Sequence, residues 1–225
     1  MATSRFEHPS AAPITLMVPD LDCGVTAGHH AEYWQDHWQR SRIDCLGVDI
    51  GASGHPDRNS WVARLDRALH RIDAPVVLVG HGLGALAIAA WVELLGQEIE
   101  TQVAGAILVG PCDPSEAADD PHIQAFSPLP ATVFPFPALV VASDDDPRVS
   151  IDRSFSIARQ WGAGFARFGG CGDFRSLGRW AQGDALLDRF LDLIEPGHAS
   201  AFAALDNFST LPGSGNDKET SAFRL

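Results

Sequence analysis

The sequence predicts a doubly wound α/β domain of about six parallel strands, and three observations predict it. Short runs of β-branched and aliphatic residues alternate with amphipathic segments, a spacing that implies βαβ crossovers and a parallel sheet covered on both faces. One stretch, Pro75 to Leu95, passes from strand through a glycine-rich turn into an apolar helix without a break. A chain of 225 residues with 45% hydrophobic content can bury one sizeable core and is short for two.

The elements follow in order. Residues 1–13 are polar and Pro/Ala-rich, which predicts a flexible arm. Ile14 to Val18 is a strand stopped by Pro19-Asp20. A loop carrying Cys23, Gly24, Gly28, His29 and His30 leads to a helix over 31–40 with Tyr33, Trp34 and Trp38, aromatic residues best explained as core packing. Asp44 to Asp49 is the second strand. With Asn59 as N-cap, Trp61, Leu65, Ala68, Leu69 and Ile72 recur at helical spacing and predict a helix over 60–72. Val76 to Val79 is the third strand, followed by a helix from about Ala85, and Val103 to Val109 is the fourth strand. Residues 112–137 are Pro-rich and irregular, the composition of a lid or a pocket rim. A strand over 138–142, a helix over 151–161, a strand over 163–168 and a helix over 180–194 complete the domain. Residues 195–225 are polar and punctuated by Gly, Ser and Pro, which predicts a disordered tail with a short helix around Ala199 to Leu205. With strand order 2-1-3-4-5-6, the loop after Val18 and the turn after Val79 face each other across the crevice where such sheets bind ligands.

Composition removes several function classes. A formal net charge of −13 and no basic cluster disfavour nucleic acid and anionic lipid. The longest apolar run, Ala85 to Val92, is too short to span a bilayer, and the first residues lack the apolar core of a secretion signal. Cys23, Cys45, Cys112 and Cys171 are widely spaced and read as reduced thiols, so a cytoplasmic location is expected, with neither a disulfide frame nor a metal site.

The turn Gly80-His81-Gly82-Leu83-Gly84 carries the functional question. In a G-x-S-x-G elbow the middle residue is a serine nucleophile held on a sharp, strained turn. Here it is Gly82, which keeps the turn and has no hydroxyl. A second reading is local: Gly80-x-Gly82-x-x-Ala85 satisfies the dinucleotide fingerprint. That fingerprint belongs after the first strand and wants an acidic residue ending the next one, where this chain has Val109-Gly110-Pro111, so a dinucleotide-dependent oxidoreductase is the minor alternative and no cofactor is expected.

Taken together, His30, Trp34 and Trp38, the segment Pro56 to Val62, the elbow, and Phe134-Pro135-Phe136-Pro137 leading to Ala142-Ser143-Asp144-Asp145-Asp146-Pro147 resemble the retinoblastoma-binding-protein-nine type of small serine hydrolases, over most of residues 14–194. The resemblance implies a single α/β-hydrolase-like domain. It implies an acid at Asp146, in S-x-x-D-P, and a histidine in a G-x-x-G-H turn that here reads Gly169-Gly170-Cys171-Gly172-Asp173. Gly82 thus stands at the nucleophile position and Asp173 at the histidine position. Acyl transfer needs a hydroxyl and an imidazole, and neither is in its place. The oxyanion hole implied by the resemblance combines Leu83 N–H with an N–H near Asp20 or Leu21, and the Asp20 carboxylate beside it opposes developing negative charge.

These departures predict a catalytically degenerate hydrolase that binds a small molecule or a protein partner. The alternative is an active hydrolase with a non-standard constellation: a water activated by Asp146 or Asp173, or a serine such as Ser143 or Ser176. If Asp146 and Asp173 share the vacated space, one should have a raised pKa or pair with Arg148 or Arg175, marking a site for a cationic or hydrogen-bond-donating ligand; otherwise one turns to solvent. His81 is a candidate displaced base, more simply explained as packing beneath the elbow.

Overall fold

Val, Leu and Ile runs long enough to be buried on both faces become central strands in the computed structural model, which describes residues 12–21, 33–51, 56–95 and 103–194. The strands are β1 (Ile14–Val18), β2 (Cys45–Gly47), β3 (Val76–His81), β4 (Val103–Val109), β5 (Ala138–Ser143) and β6 (Gly164–Phe168). They form one parallel sheet in the order β2-β1-β3-β4-β5-β6. Every residue of β3 and β5 is buried, as a sheet covered on both faces requires.

The helices are α1 (Trp34–Ser41), α2 (Arg58–Leu69), α3 (Leu83–Leu95), the single turn α4 (Pro121–Gln124), α5 (Ile151–Gln160) and α6 (Gly183–Ile194). Alternation along the strands sorts them into two layers. Leu16, Val18, Leu78, Leu108 and Val140 pack with Trp61, Leu65, Leu86, Trp91, Ile157 and Trp161 under α2, α3 and α5. Met17, Val77, Val79, Ile107 and Val141 face α1 and α6, against Trp34, Trp38, Trp180, Leu187 and Phe190. Trp34 and Trp38 have no exposed surface, as the core reading of that helix requires.

Two boundaries and the Pro-rich segment differ from the sequence expectation for identifiable reasons. Asp57, not Asn59, caps α2: its carboxylate accepts the Ser60 N–H at 2.7 Å, so the helix begins earlier. Helix α6 starts at Gly183 because Trp180 belongs to the aromatic cluster, edge-on to Trp34 at 4.8 Å, after a 3₁₀ turn over Leu177–Arg179. The Pro-rich segment is anchored in the core. Ile123, Phe126, Phe134 and Phe136 are buried, Phe126 stacks edge-on against Trp61, and Pro130 O accepts the Trp161 indole N–H at 2.9 Å. Ala131 N–H donates to Glu93 near the far end of α3. Residues 128–134 therefore lie against the ends of α3 and α5 remote from the elbow, not over it as a lid. The expected arm and tail, the loop with Cys23, His29 and His30, and the start of the α1 prediction lie outside the described residues, apart from Ala12 and Pro13. No described helix is long and apolar enough to cross a membrane.

Candidate functional site

Parallel strands deliver their following loops to one edge of the sheet, and that edge gathers the residues expected at the elbow, the oxyanion region and the triad positions. Asp20 follows β1, Gly82 and Leu83 follow β3, Cys112 follows β4, Asp146 and Arg148 follow β5, and Asp173 and Arg175 follow β6.

Two glycines shape the centre. Gly82 has φ +52°, a left-handed conformation that a residue with a Cβ adopts only with strain. Gly84 lets the first turn of α3 close on the end of β1, since a Cβ there would overlap Val18 O and lie 2.7 Å from Pro19 O. This close approach brings Asp20 to the elbow. Asp20 is 1% exposed, and its Oδ1 accepts the Leu83 N–H at 3.0 Å. A Cβ on Gly82 would fall 2.5 and 2.6 Å from the two Asp20 carboxylate oxygens. The carboxylate therefore fills the space a nucleophile side chain would need and occupies the backbone donor that the resemblance assigns to the oxyanion hole. The same N–H would meet a pyrophosphate in the dinucleotide reading.

Asp20 is stabilised as an anion by two arginines. Arg148 Nη1 donates to Oδ2 at 2.6 Å and Arg175 Nη2 at 3.3 Å. Burial pushes the Asp20 pKa up, but Arg148, His81, the Leu83 N–H and Arg175 together outweigh it and hold the carboxyl below its ordinary value. Arg148 is correspondingly raised by Asp20 against its own desolvation. Arg175 also reaches Asp173, with Nε 3.1 Å from Oδ2 and its backbone N–H 3.3 Å from Oδ1.

Asp146 is the third carboxyl. Its Oδ1 accepts the Arg148 backbone N–H at 2.9 Å, and its Oδ2 is buried without a partner. Burial raises its pKa to about 6, with Asp173 and Asp20 adding to the rise and Arg148 opposing it. One expected carboxyl thus has a raised pKa and the other pairs with Arg175. The pairing of Arg148 with Asp20 was not legible, because nothing in the local sequence joins positions separated by 128 residues.

His81 lies fully buried under the elbow, its Nε2 2.7 Å from Asp173 O and its Nδ1 2.9 Å from Tyr33 Oη. Burial lowers its pKa to about 4. In the neutral ring, Nε2–H donates to the Asp173 carbonyl and Nδ1 accepts from Tyr33, so both nitrogens are committed. Ser143 is equally committed: its Oγ donates to Asp145 at 2.7 Å and accepts the Cys171 N–H at 3.1 Å. Cys112 is inaccessible, with its thiol pushed by burial to about 12, and burial raises Cys45 and Cys171 to about 11. Among the described residues no group of three or more His, Cys, Asp or Glu could hold a metal ion.

Two buried groups oppose each other in their pH dependence. His81 has a folded pKa of about 4, below its ordinary 6.5, so the unfolded chain takes up the proton between those values and acidification destabilises. Asp146 has a folded pKa of about 6, above its ordinary 3.8, so the folded protein takes up the proton and acidification stabilises. The effects nearly cancel where the windows overlap. Asp146→Asn removes only the second, so its stability should fall about 2 kcal/mol more than the wild type's when urea unfolding is compared at about pH 7 and about pH 4.5. Parallel pH profiles would refute this assignment.

Comparison with known proteins agrees with this architecture. The family model described as serine hydrolase matches residues 23–189. No curated relative matches the chain. Among solved structures, a protein described as a YdeN-like hydrolase from Pectobacterium atrosepticum is 28% identical, with a TM-score of 0.63 over 81% of this chain and 92% of that one. The YdeN product of Bacillus subtilis is 19% identical, with a TM-score of 0.55 over 79% and 98%. YbtT, a type II thioesterase from the yersiniabactin biosynthetic pathway, is 17% identical, with a TM-score of 0.58 over 83% and 97%. The last two likenesses establish the fold alone.

Proposed function

The chain belongs to the serine hydrolase family of the α/β-hydrolase superfamily, and from that premise we propose that it is a non-hydrolytic member, a binding or regulatory protein that uses the family crevice to hold a small molecule or a protein partner. One observation carries the reading. The Asp20 carboxylate accepts the Leu83 N–H and fills the space beside Gly82, so the elbow has no nucleophile side chain and the donor that an oxyanion would need is already taken. A buried carboxylate there repels the negative charge that acyl transfer must develop.

The remaining groups support the same reading. Asp173, at the position of the family histidine, is tied to Arg175, and the nearby imidazole of His81 spends both nitrogens on structure. Asp146 keeps the acid position without a base to orient. A water-activating carboxylate is the second reading, favoured only by the raised pKa of Asp146. Its free Oδ2 is buried, whereas a general base must reach the proton it removes.

Hydrolysis of short p-nitrophenyl esters and acyl thioesters by the wild-type protein should equal the buffer rate, and Asp146→Asn should leave it unchanged. Turnover lost in Asp146→Asn would establish the second reading instead.

A further inference from the structure

The group on the first N–H of α3 belongs to the chain itself, and it is a carboxylate. Leu83 N–H, Arg148 and Arg175 converge on Asp20, from positions 63, 128 and 155 residues away. Arg148 uses only Nη1 on this carboxylate; its Nε and Nη2 are buried and have no partner. A guanidinium binds a carboxylate best through two parallel N–H bonds, a geometry that a carboxylate tethered at Asp20 does not reach.

We propose that Leu83 N–H, Arg148 and Arg175 form a site for a small monocarboxylate, which the chain fills in cis with Asp20, and that a free carboxylate takes the site when the Asp20 side chain is removed. A cationic or purely hydrogen-bond-donating ligand does not suit this half of the crevice, because two guanidinium groups and a backbone donor meet it there. Any carboxylate ligand of the wild-type protein has to displace the Asp20 side chain from the Leu83 N–H and the two arginines. The inference rests on the non-hydrolytic reading only in treating Asp20 as the resident occupant of the elbow.

The test uses the full chain with Asp20→Ala, with acetate or formate as probe and sodium chloride at equal ionic strength as control. Acetate should raise the melting temperature of Asp20→Ala saturably, by about 5 °C, and chloride should not. The wild type should show no saturable response, and adding Arg148→Met to Asp20→Ala should abolish it. Equal responses to the two salts, or an unchanged acetate response in the double variant, would overturn the proposal. If Asp20→Ala does not accumulate folded, refolding from urea supplies the same decision: a higher yield in acetate than in chloride supports the site, and equal yields overturn it. Serine labelling of the wild type would bear on the non-hydrolytic reading and not on this one.

Discussion

Gly82→Ser alone should lower stability by about 2–6 kcal/mol and leave ester hydrolysis at background. Two costs add. A residue with a Cβ at φ +52° costs on the order of 1–3 kcal/mol, and a Cβ placed 2.5 and 2.6 Å from the Asp20 oxygens forces the buried ion pair aside, a displacement worth about 1–3 kcal/mol by analogy with overpacked cores. Asp20→Gly in the same chain should therefore rescue much of the loss, although each change is unfavourable alone. This non-additivity, read by urea unfolding of the two single variants and the double, is the signature of a shared space. Activity should follow the same order. Gly82→Ser with Asp173→His restores nucleophile and base but leaves a carboxylate on the Leu83 N–H. Adding Asp20→Gly should raise p-nitrophenyl acetate turnover by about 10²–10³, the contribution of one freed oxyanion donor. Equal activity with and without Asp20→Gly would show that the carboxylate is not the obstacle.

The second large effect concerns Arg148. Arg148→Met should cost about 3–5 kcal/mol, because it strands the carboxylate of a residue that is 1% exposed with one backbone donor and a more distant, half-exposed Arg175. The pH dependence separates this from simple loss of packing. In the wild type Asp20 has a lowered pKa, so its contribution is complete above the ordinary value of 3.8 and is lost as pH falls through the folded pKa. Without Arg148, desolvation dominates and the folded pKa rises above 3.8. The folded variant then binds the extra proton, and its deficit relative to wild type should shrink as pH is lowered from about 7 to about 4.5. Asp20→Asn should recover much of the Arg148→Met loss at neutral pH, since an amide still accepts the Leu83 N–H without a buried charge. A double variant no more stable than Arg148→Met would assign the loss to packing.

Much of the fold was legible because the signals are local. The apolar runs Ile14 to Val18 and Val103 to Val109 set β1 and β4 to the residue, and the alternation of strands and helices implied the parallel sheet, whose observed order is the usual one for such folds. The errors lie where tertiary contacts override local pattern: Trp180 has helical spacing to Leu187 and Leu191 yet serves the aromatic cluster, and Asp57 supplies the cap two residues before Asn59. In the site, motif positions singled out Gly82, Asp146 and Asp173, which the structure brings to one sheet edge, and Asp20 could be placed beside the Leu83 N–H. What the sequence could not show is that Asp20 accepts that N–H and is held by Arg148 and Arg175. Those contacts join four loops, and each arginine stands in a segment that reads by itself as an ordinary polar turn. The commitment of His81 to Tyr33 and the Asp173 carbonyl was hidden for the same reason, as it spans 48 and 92 residues.

The intact mass of the wild-type protein after exposure to an excess of a fluorophosphonate decides the central claim most directly, with the triple variant Asp20→Gly, Gly82→Ser, Asp173→His as positive control. The expected result is an unmodified wild type beside a singly phosphonylated variant carrying its label at position 82. A stoichiometric adduct on any serine of the wild type would contradict the account.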